Sequence, residues 1–132
     1  MEELKRRLAL ARRALLTLRE ALAEPKTAIT RDAAIQRFEY SFEATWKAAR
    51  SLLREVEGLD HGSPASVVRA CHAVALLDER TARLGLEMVR DRNLTVHTYN
   101  ERLAGEIFAR LPAYVGMMEA WLQALEGRAG QR

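Results

Sequence analysis

Apolar residues at the start of the chain recur every three or four positions, the spacing that places them on one side of an α-helix. They form a seam of about three heptads, made of Leu4, Leu8, Ala11, Leu15, Leu18 and Leu22. We predict a helix from about Glu2 to Ala23, ending at Glu24 because a residue that precedes a proline disfavours helical geometry. The seam fits packing inside a bundle or a coiled coil between chains, and packing inside one chain is the preferred interpretation.

A second apolar stripe predicts a helix that Thr30 caps and Gly58 ends. Its members are Ile35, Phe38, Phe42, Trp46, Ala49, Leu53 and Val56. On its polar side, Glu39, Glu43 and Lys47 follow one another at four-residue intervals. This row is typical of a solvated face with one weak ion pair, but it could also line a cleft.

Three later helix starts are indicated by residues that favour the N-cap position, Ser63, Asp78 and Asn100. After Pro112 the pattern predicts one more amphipathic helix, whose apolar positions face inward. Those positions are Tyr114, Met117, Met118, Trp121, Leu122 and Leu125. The connections are short, so we predict an all-α fold in one domain over residues 1–132. Its architecture is an antiparallel up-and-down helical bundle of four main helices plus one or two short ones.

The composition fits a globular protein, with 48% hydrophobic and 30% charged residues. The longest apolar run, residues 73–77, is far shorter than a membrane span, and no signal peptide is expected. A single cysteine, Cys71, can form no internal disulfide and is predicted to be a small buried hydrophobe, so we expect a cytoplasmic location. The net charge of +3 comes from interspersed charges, without the basic stripe of a dedicated nucleic-acid-binding protein.

Several kinds of enzyme site are absent from the sequence. The glycines are scattered singly, so no glycine-rich loop is available to cradle a phosphate. The histidines and Cys71 lack the spacing of a metal site, and the aspartates stand alone rather than in the Asp-x-Asp pairs that hold Mg²⁺. No metal and no cofactor is therefore predicted, and any catalysis would be independent of metal ions.

Residues 91–99 concentrate polar and aromatic side chains where a helix should end. On an ideal helix Arg92 and His97 would lie about 140° apart. They can therefore meet at one ligand only if the helix ends between them or a second subunit closes the site. Such residues suit phosphodiester chemistry, because an arginine holds a phosphate and a histidine transfers protons near neutral pH. The phenol of Tyr99 would add a donor, or an acceptor for a transferred group.

A structural role for the same segment also fits the residues. In that interpretation Arg92 pairs with Asp91 or Glu87. His97 then caps the end of the helix, and Tyr99 packs in the core. The residues alone leave both interpretations open.

Arg92, His97 and Tyr99 form an Arg-x4-His-x-Tyr motif, which resembles the signature of HEPN domains (higher eukaryotes and prokaryotes nucleotide-binding). More narrowly, the order of several short motifs resembles the family of nucleotidyltransferase substrate-binding proteins. These motifs are Arg31-Asp32, residues 38–43 (Phe-Glu-Tyr-Ser-Phe-Glu), Trp46-Lys47, Ser63-Pro64, Arg92-Asn93 and His97-Thr98-Tyr99. The resemblance runs from about residue 4 to residue 126.

The resemblance implies a helical bundle that forms a homodimer and partners a separate minimal nucleotidyltransferase, in a two-component system like those of toxins and antitoxins. It also implies roles for the residues of the motif. Arg92 would bind phosphate and His97 would act as an acid or base. Asn93 would orient these two side chains, and Tyr99 would accept AMP from the partner enzyme.

Three functions are therefore considered. The first is a nucleotidyltransferase substrate-binding subunit with a nucleotide or RNA ligand, in which Tyr99 accepts AMP. The second is a metal-independent ribonuclease toxin that resembles the HEPN ribonucleases, whose arginine and histidine come from two subunits. In it Arg92 and His97 would be catalytic, and Glu39 or Glu43 would supply a supporting carboxylate. The third is a purely structural helical bundle.

A subunit that assembles with partners leaves apolar surface unpaired within its own fold. Two sets of residues are candidates for that surface. One is the apolar seam of the first helix, and the other consists of Tyr114, Met117, Met118 and Trp121. Packing in the core would explain both sets equally well.

Overall fold

The computed structural model describes residues 1–131, which form helices joined by short turns and contain no strand. Within that range the α-helices are α1 (Glu2–Ala23), α2 (Ala28–Leu52), α3 (Pro64–Ala73), α4 (Glu79–Leu94) and α5 (Glu101–Gly130). A π-helical turn, Leu53–Glu57, extends α2, and a 3-10 turn, Thr95–His97, extends α4. The predicted all-α class is confirmed. Arg132, the last residue of the predicted domain, lies outside the described residues.

Packing of α1 against α2 and α5 builds the antiparallel up-and-down bundle. The shorter α3 and α4 pack on each other; α3 also contacts α2, and α4 contacts both α2 and α5. The seam of α1 faces the interior, where Leu4, Ala11 and Leu18 are fully buried and Leu22 is partly buried. Packing of this seam within one chain is therefore confirmed. No helix among the described residues combines the length and the apolar character needed to cross a membrane.

The start of α2 lies slightly earlier than predicted. Thr27 is the N-cap residue, and its hydroxyl accepts a hydrogen bond from the Thr30 amide at 3.1 Å. The hydroxyl of Thr30 accepts in return from the Thr27 amide at 2.7 Å. The prediction that Thr30 caps this helix is wrong, because Thr30 is the third helical residue of a reciprocal capping box.

The C-terminal helices predicted on either side of Pro112 are one continuous helix, α5. Proline removes one intrahelical hydrogen bond and costs about 3 kcal/mol inside a helix. Burial of large apolar side chains on both sides of Pro112 outweighs that cost: Leu111, Tyr114 and Trp121 are all fully buried. The four C-terminal residues considered as possible assembly contacts are core residues, so of the two alternatives packing in the core is confirmed. They are Tyr114, Met117, Met118 and Trp121.

Cys71 lies on the buried side of α3, as predicted. Burial raises the pKa of its thiol to about 11. The thiol therefore stays protonated at neutral pH, and Cys71 serves as a small hydrophobic core residue.

Ion pairs tie α1 to α5 along the side of the bundle. Arg12 donates two hydrogen bonds to Glu126, at 2.9 and 2.7 Å, and another to Glu119. Arg19 donates to the other oxygen of Glu119 at 2.6 Å. The hydrogen bond from Arg12, with the positive charges of both arginines, lowers the pKa of Glu119.

Acid is expected to weaken the bundle through Glu119. Because the pKa of this carboxylate is lowered by folding, its ionised form stabilises the protein above the unfolded value of about 4.5. The contribution is lost as the pH falls below that value and through the lower pKa of the folded state. Urea unfolding between about pH 6 and pH 3 should show a smaller acid-induced loss of stability in Glu119→Gln than in the unmodified protein.

Glu106→Gln is the matched control, because Glu106 lies exposed on the same helix in an ion pair with Arg102. This variant should keep the original pH dependence. The account of the α1–α5 ion pairs is wrong if Glu119→Gln and Glu106→Gln respond to acid identically.

Candidate functional site

The helix carrying Arg92 ends before it reaches His97. The last α-helical residue of α4 is Leu94, and residues 95–97 form the 3-10 turn. Side chains fix this turn: Thr95 Oγ1 donates to the Arg92 carbonyl at 2.8 Å, and Thr98 Oγ1 donates to the Thr95 carbonyl at 2.9 Å. The predicted end of a helix between Arg92 and His97 is therefore confirmed.

Arg92 reaches from α4 towards α2, where its Nη2 lies 4.0 Å from Glu43 Oε1. The two side chains lie in an open groove of about 260 Å³ between these helices. We call it the Arg92 groove, and its lining residues are Gln36, Glu39, Tyr40, Glu43 and Arg92. Glu39 and Glu43 of the polar row on α2 thus line a cleft together with Arg92, and Glu43 also forms the ion pair with Lys47 that the sequence pattern predicts.

Glu43 is the most connected side chain of the Arg92 groove. It accepts a hydrogen bond from Trp46 Nε1 at 3.2 Å, and Lys47 Nζ lies 3.5 Å from the same oxygen. Its other oxygen faces Arg92. The Nε of Arg92 is buried and has no hydrogen-bond partner within residues 1–131. A buried donor without a partner is costly, and such groups are rare enough to call for an explanation.

The other residues of the motif lie outside this groove, Asn93 in the last turn of α4 and His97 and Tyr99 on the connection from α4 to α5. Asn93, His97 and Tyr99 are all exposed, and the side chain of Tyr99 is 83% exposed. The rings of His97 and Tyr99 meet edge to face, with their centroids 6.0 Å apart. Within one chain the structure therefore brings together Arg92 with the two carboxylates, and His97 with Tyr99.

This arrangement contradicts two parts of the structural role considered for the segment, those of Tyr99 and Arg92. Tyr99 does not pack in the core, because its side chain is almost fully in solvent. Arg92 pairs with Glu43 rather than with Asp91 or Glu87. The cap of α5 at Asn100 is as predicted, since its side chain accepts from the Leu103 amide at 3.2 Å.

Asp91, considered from the sequence only as a possible partner of Arg92, is a fully buried carboxylate. It accepts two hydrogen bonds from Arg110, at 2.6 and 3.0 Å, and one from the Tyr114 hydroxyl at 2.5 Å. Burial, with donation of the hydroxyl to Asp91, raises the pKa of Tyr114. This buried network joins the end of α4 to α5 and so fixes the helix turn from which Arg92 projects.

A signal for the burial of Asp91 was present in the sequence. The inward stripe of α4 passes through Ala82, Gly85 and Met88, and Asp91 is its next position. The helix packs closely against its neighbours at Gly85, because a Cβ atom added there would lie 2.9 Å from Met117 and 3.1 Å from Val68. Among the described residues no group of three or more histidine, cysteine or acidic side chains is arranged to hold a metal ion.

Comparison with protein families gives a match over residues 6–127 to the family described as "nucleotidyltransferase substrate binding protein like". The chain belongs to this family. Comparison with curated proteins finds no match. The range that matches this family begins in α1 and ends in α5. It therefore includes the Arg92 groove and the turn that carries His97 and Tyr99.

The solved structures that are similar to this chain include the following two. A crystal structure of a protein from Thermus thermophilus shares 56% sequence identity with a TM-score of 0.84, and covers 87% of this chain and 98% of that chain. HI0074 from Haemophilus influenzae, reported to reveal the fold of a substrate-binding domain of a nucleotidyltransferase, shares 19% identity with a TM-score of 0.77. That likeness covers 90% of this chain and 98% of HI0074, and it shows a common fold.

Proposed function

We propose that this chain is the substrate-binding subunit of a two-component nucleotidyltransferase. In this proposal it is a HEPN-like single domain that forms a homodimer in the cytoplasm and assembles with a separate minimal nucleotidyltransferase, as in toxin–antitoxin pairs. Its ligand is a nucleotide or RNA, and Tyr99 accepts AMP from the partner. Family membership supports the broader part of the proposal, because the family is named for binding the substrate of a nucleotidyltransferase.

The exposure of Tyr99 is the observation that carries the proposal. Its phenol projects from a turn that is fixed by the side chains of Thr95 and Thr98, and Val96 in the same turn is 68% exposed. An aromatic and an aliphatic side chain exposed together on one hydrogen-bonded turn offer another protein an apolar contact. A phenol held in this way can enter the active site of a partner enzyme without unfolding the bundle.

The group transfer follows from the chemistry of a phenol and a nucleoside triphosphate. The Tyr99 hydroxyl oxygen attacks the α-phosphorus of ATP, and a new oxygen–phosphorus bond forms as the bond to the bridging oxygen breaks. Pyrophosphate leaves with the bonding electrons. In this proposal the phenolic proton passes to His97, whose ring centroid lies 6.0 Å from that of Tyr99.

The separation of Arg92 from His97 supports dimerisation as part of the proposal. His97 does not line the Arg92 groove of its own chain. A second copy that presents His97 to this groove would add the proton-transferring group that the groove lacks. Phosphate bound by Arg92 would then lie next to an acid or base.

Assembly is tested by size-exclusion chromatography with light scattering, using this chain and a single-domain nucleotidyltransferase from the same organism. We expect one complex that contains two copies of this chain. Val96→Asp should weaken the complex at least tenfold, because it places a charge on the exposed apolar turn. Leu16→Asp, which changes an exposed apolar residue on α1, should bind as the unmodified chain does. Two separate peaks from folded proteins would contradict the assembly.

A metal-independent ribonuclease is the second candidate, and the Arg92 groove is the observation that favours it. Arg92 lies there beside Glu39 and Glu43, with a buried Nε that no other described residue engages. In this function His97 activates a ribose 2′-hydroxyl and Arg92 stabilises the charge on the phosphorus centre. His97→Ala should then abolish RNA cleavage, EDTA should leave it unchanged, and products should end in a 2′,3′-cyclic phosphate. Full cleavage by His97→Ala would exclude this function.

A further inference from the structure

A second charged pocket lies at the other end of the polar face of α2, beside the start of α1. Its volume is about 240 Å³. All of its lining side chains are polar or charged, and they are Glu3, Arg7, Lys47, Arg50, Ser51 and Arg54. Four of these six are cations and one is a carboxylate, so the lining is positively charged overall. We call it the basic pocket.

The helical spacing of α2 and its π-turn builds most of this pocket. Lys47, Arg50 and Arg54 follow at intervals of three and four residues, which places them on one face over about 10 Å of helix. The antiparallel packing of α1 against α2 brings Arg7 to the same place. Cations from two helices thus converge, although no basic run exists in the sequence.

The positive charges of the basic pocket are incompletely paired. Arg7 pairs with Glu3 at 2.9 Å, and Arg54 pairs with Asp60 at 3.0 Å, but both carboxylates are largely exposed. Exposed ion pairs contribute little and are easily exchanged. The side chain of Arg50 has no hydrogen bond or salt bridge with any described residue, and its Nε is buried. A half-buried guanidinium without a counter-charge calls for an anion.

We propose that the basic pocket binds the oligophosphate group of a nucleotide. Arginine side chains hold phosphate oxygens through paired N–H donors, and the Ser51 hydroxyl adds a further donor. The lining contains no aromatic or aliphatic side chain on which a base could stack, so recognition rests on the phosphates. Four cations favour a chain of two or three phosphates over a single one.

The proposal goes beyond the proposed function, because it concerns residues other than the Arg92 groove and Tyr99. The two sites are nevertheless neighbours on α2. Glu43 in the Arg92 groove contacts Lys47, which lines the basic pocket. An oligophosphate that engages Lys47 would compete with Glu43 for it, and so would loosen the contacts that hold Glu43 beside Arg92.

Isothermal titration calorimetry of the full chain tests the proposal with sodium tripolyphosphate, ATP and orthophosphate. We expect tripolyphosphate and ATP to bind with affinities within a few-fold of each other, and orthophosphate to bind at least tenfold more weakly. The double variant Arg50→Gln/Arg54→Gln should lose at least tenfold in tripolyphosphate affinity. Arg83→Gln/Arg102→Gln removes the same charge from exposed ion pairs elsewhere and should bind normally.

Three results would overturn the proposal. The first is that tripolyphosphate does not bind. The second is that the two double variants lose equal affinity for tripolyphosphate, which would mean that net charge alone attracts the anion. A single-stranded RNA oligonucleotide could bind through Arg50 and Arg54 where tripolyphosphate does not. If the double variant does not fold, Arg54→Gln alone changes a half-exposed side chain and should still weaken tripolyphosphate binding severalfold.

Discussion

Replacing Asp91 by alanine is expected to lower the free energy of unfolding by about 3 kcal/mol, a large share of the stability of a domain of this size. The Asp91 carboxylate is fully buried, and its loss leaves the buried Tyr114 hydroxyl without the acceptor that it now contacts at 2.5 Å. It also removes the counter-charge of Arg110, whose side chain is only 39% exposed. Urea unfolding followed by circular dichroism measures this change.

Two further variants make the test specific. Asp91→Asn keeps the shape and one acceptor oxygen, so it should lose less stability than Asp91→Ala. Asp32→Ala removes an exposed carboxylate that pairs with Arg31 and should change stability by less than about 0.5 kcal/mol. Equal stability of Asp91→Ala and Asp32→Ala would show that the buried network does not hold α4 against α5.

The second large effect is expected at Tyr99, where Tyr99→Phe should abolish AMP transfer to this chain. The variant removes only the attacking oxygen, and the exposed side chain contributes little to packing, so folding and partner binding should be unchanged. Transfer of label from ATP that is radioactive at the α-phosphate measures the effect.

Tyr40→Phe is the matched control for this experiment. Tyr40 is also on the surface, at 42% exposure, but its hydroxyl lies 2.9 Å from that of Thr17. The Tyr40→Phe variant should incorporate as much label as the unmodified chain does. Undiminished labelling of Tyr99→Phe would place the acceptor elsewhere in the chain.

The elements defined by local pattern could be predicted from the sequence, and those decided by distant packing could not. The seam and the Glu24-Pro25 pair set both ends of α1. Thr27 and Thr30 are each suitable caps three residues apart, and only the observed reciprocal bonds show which one begins α2. Proline is a helix breaker by local rules, but burial of Tyr114 and its neighbours carries α5 through Pro112.

The candidate site shows the same division. The motif residues and the end of the helix at Leu94 were predictable because they are neighbours along the chain. The contact of Arg92 with Glu43 joins α4 to α2, so no spacing rule indicates it. Asp91 lies three residues beyond Met88 on the buried side of α4, and its partners Arg110 and Tyr114 come from α5, so only the folded structure shows that it is paired.

Intact-mass spectrometry after incubation with a single-domain nucleotidyltransferase, ATP and Mg²⁺ tests the central claim most directly. If this chain is the protein substrate of its partner, its mass increases by one or more AMP units, and fragmentation places the first unit on Tyr99. An unchanged mass in a sample where the two proteins form a stable complex would contradict the acceptor role of Tyr99. An unchanged mass without a complex would contradict the two-component assembly itself.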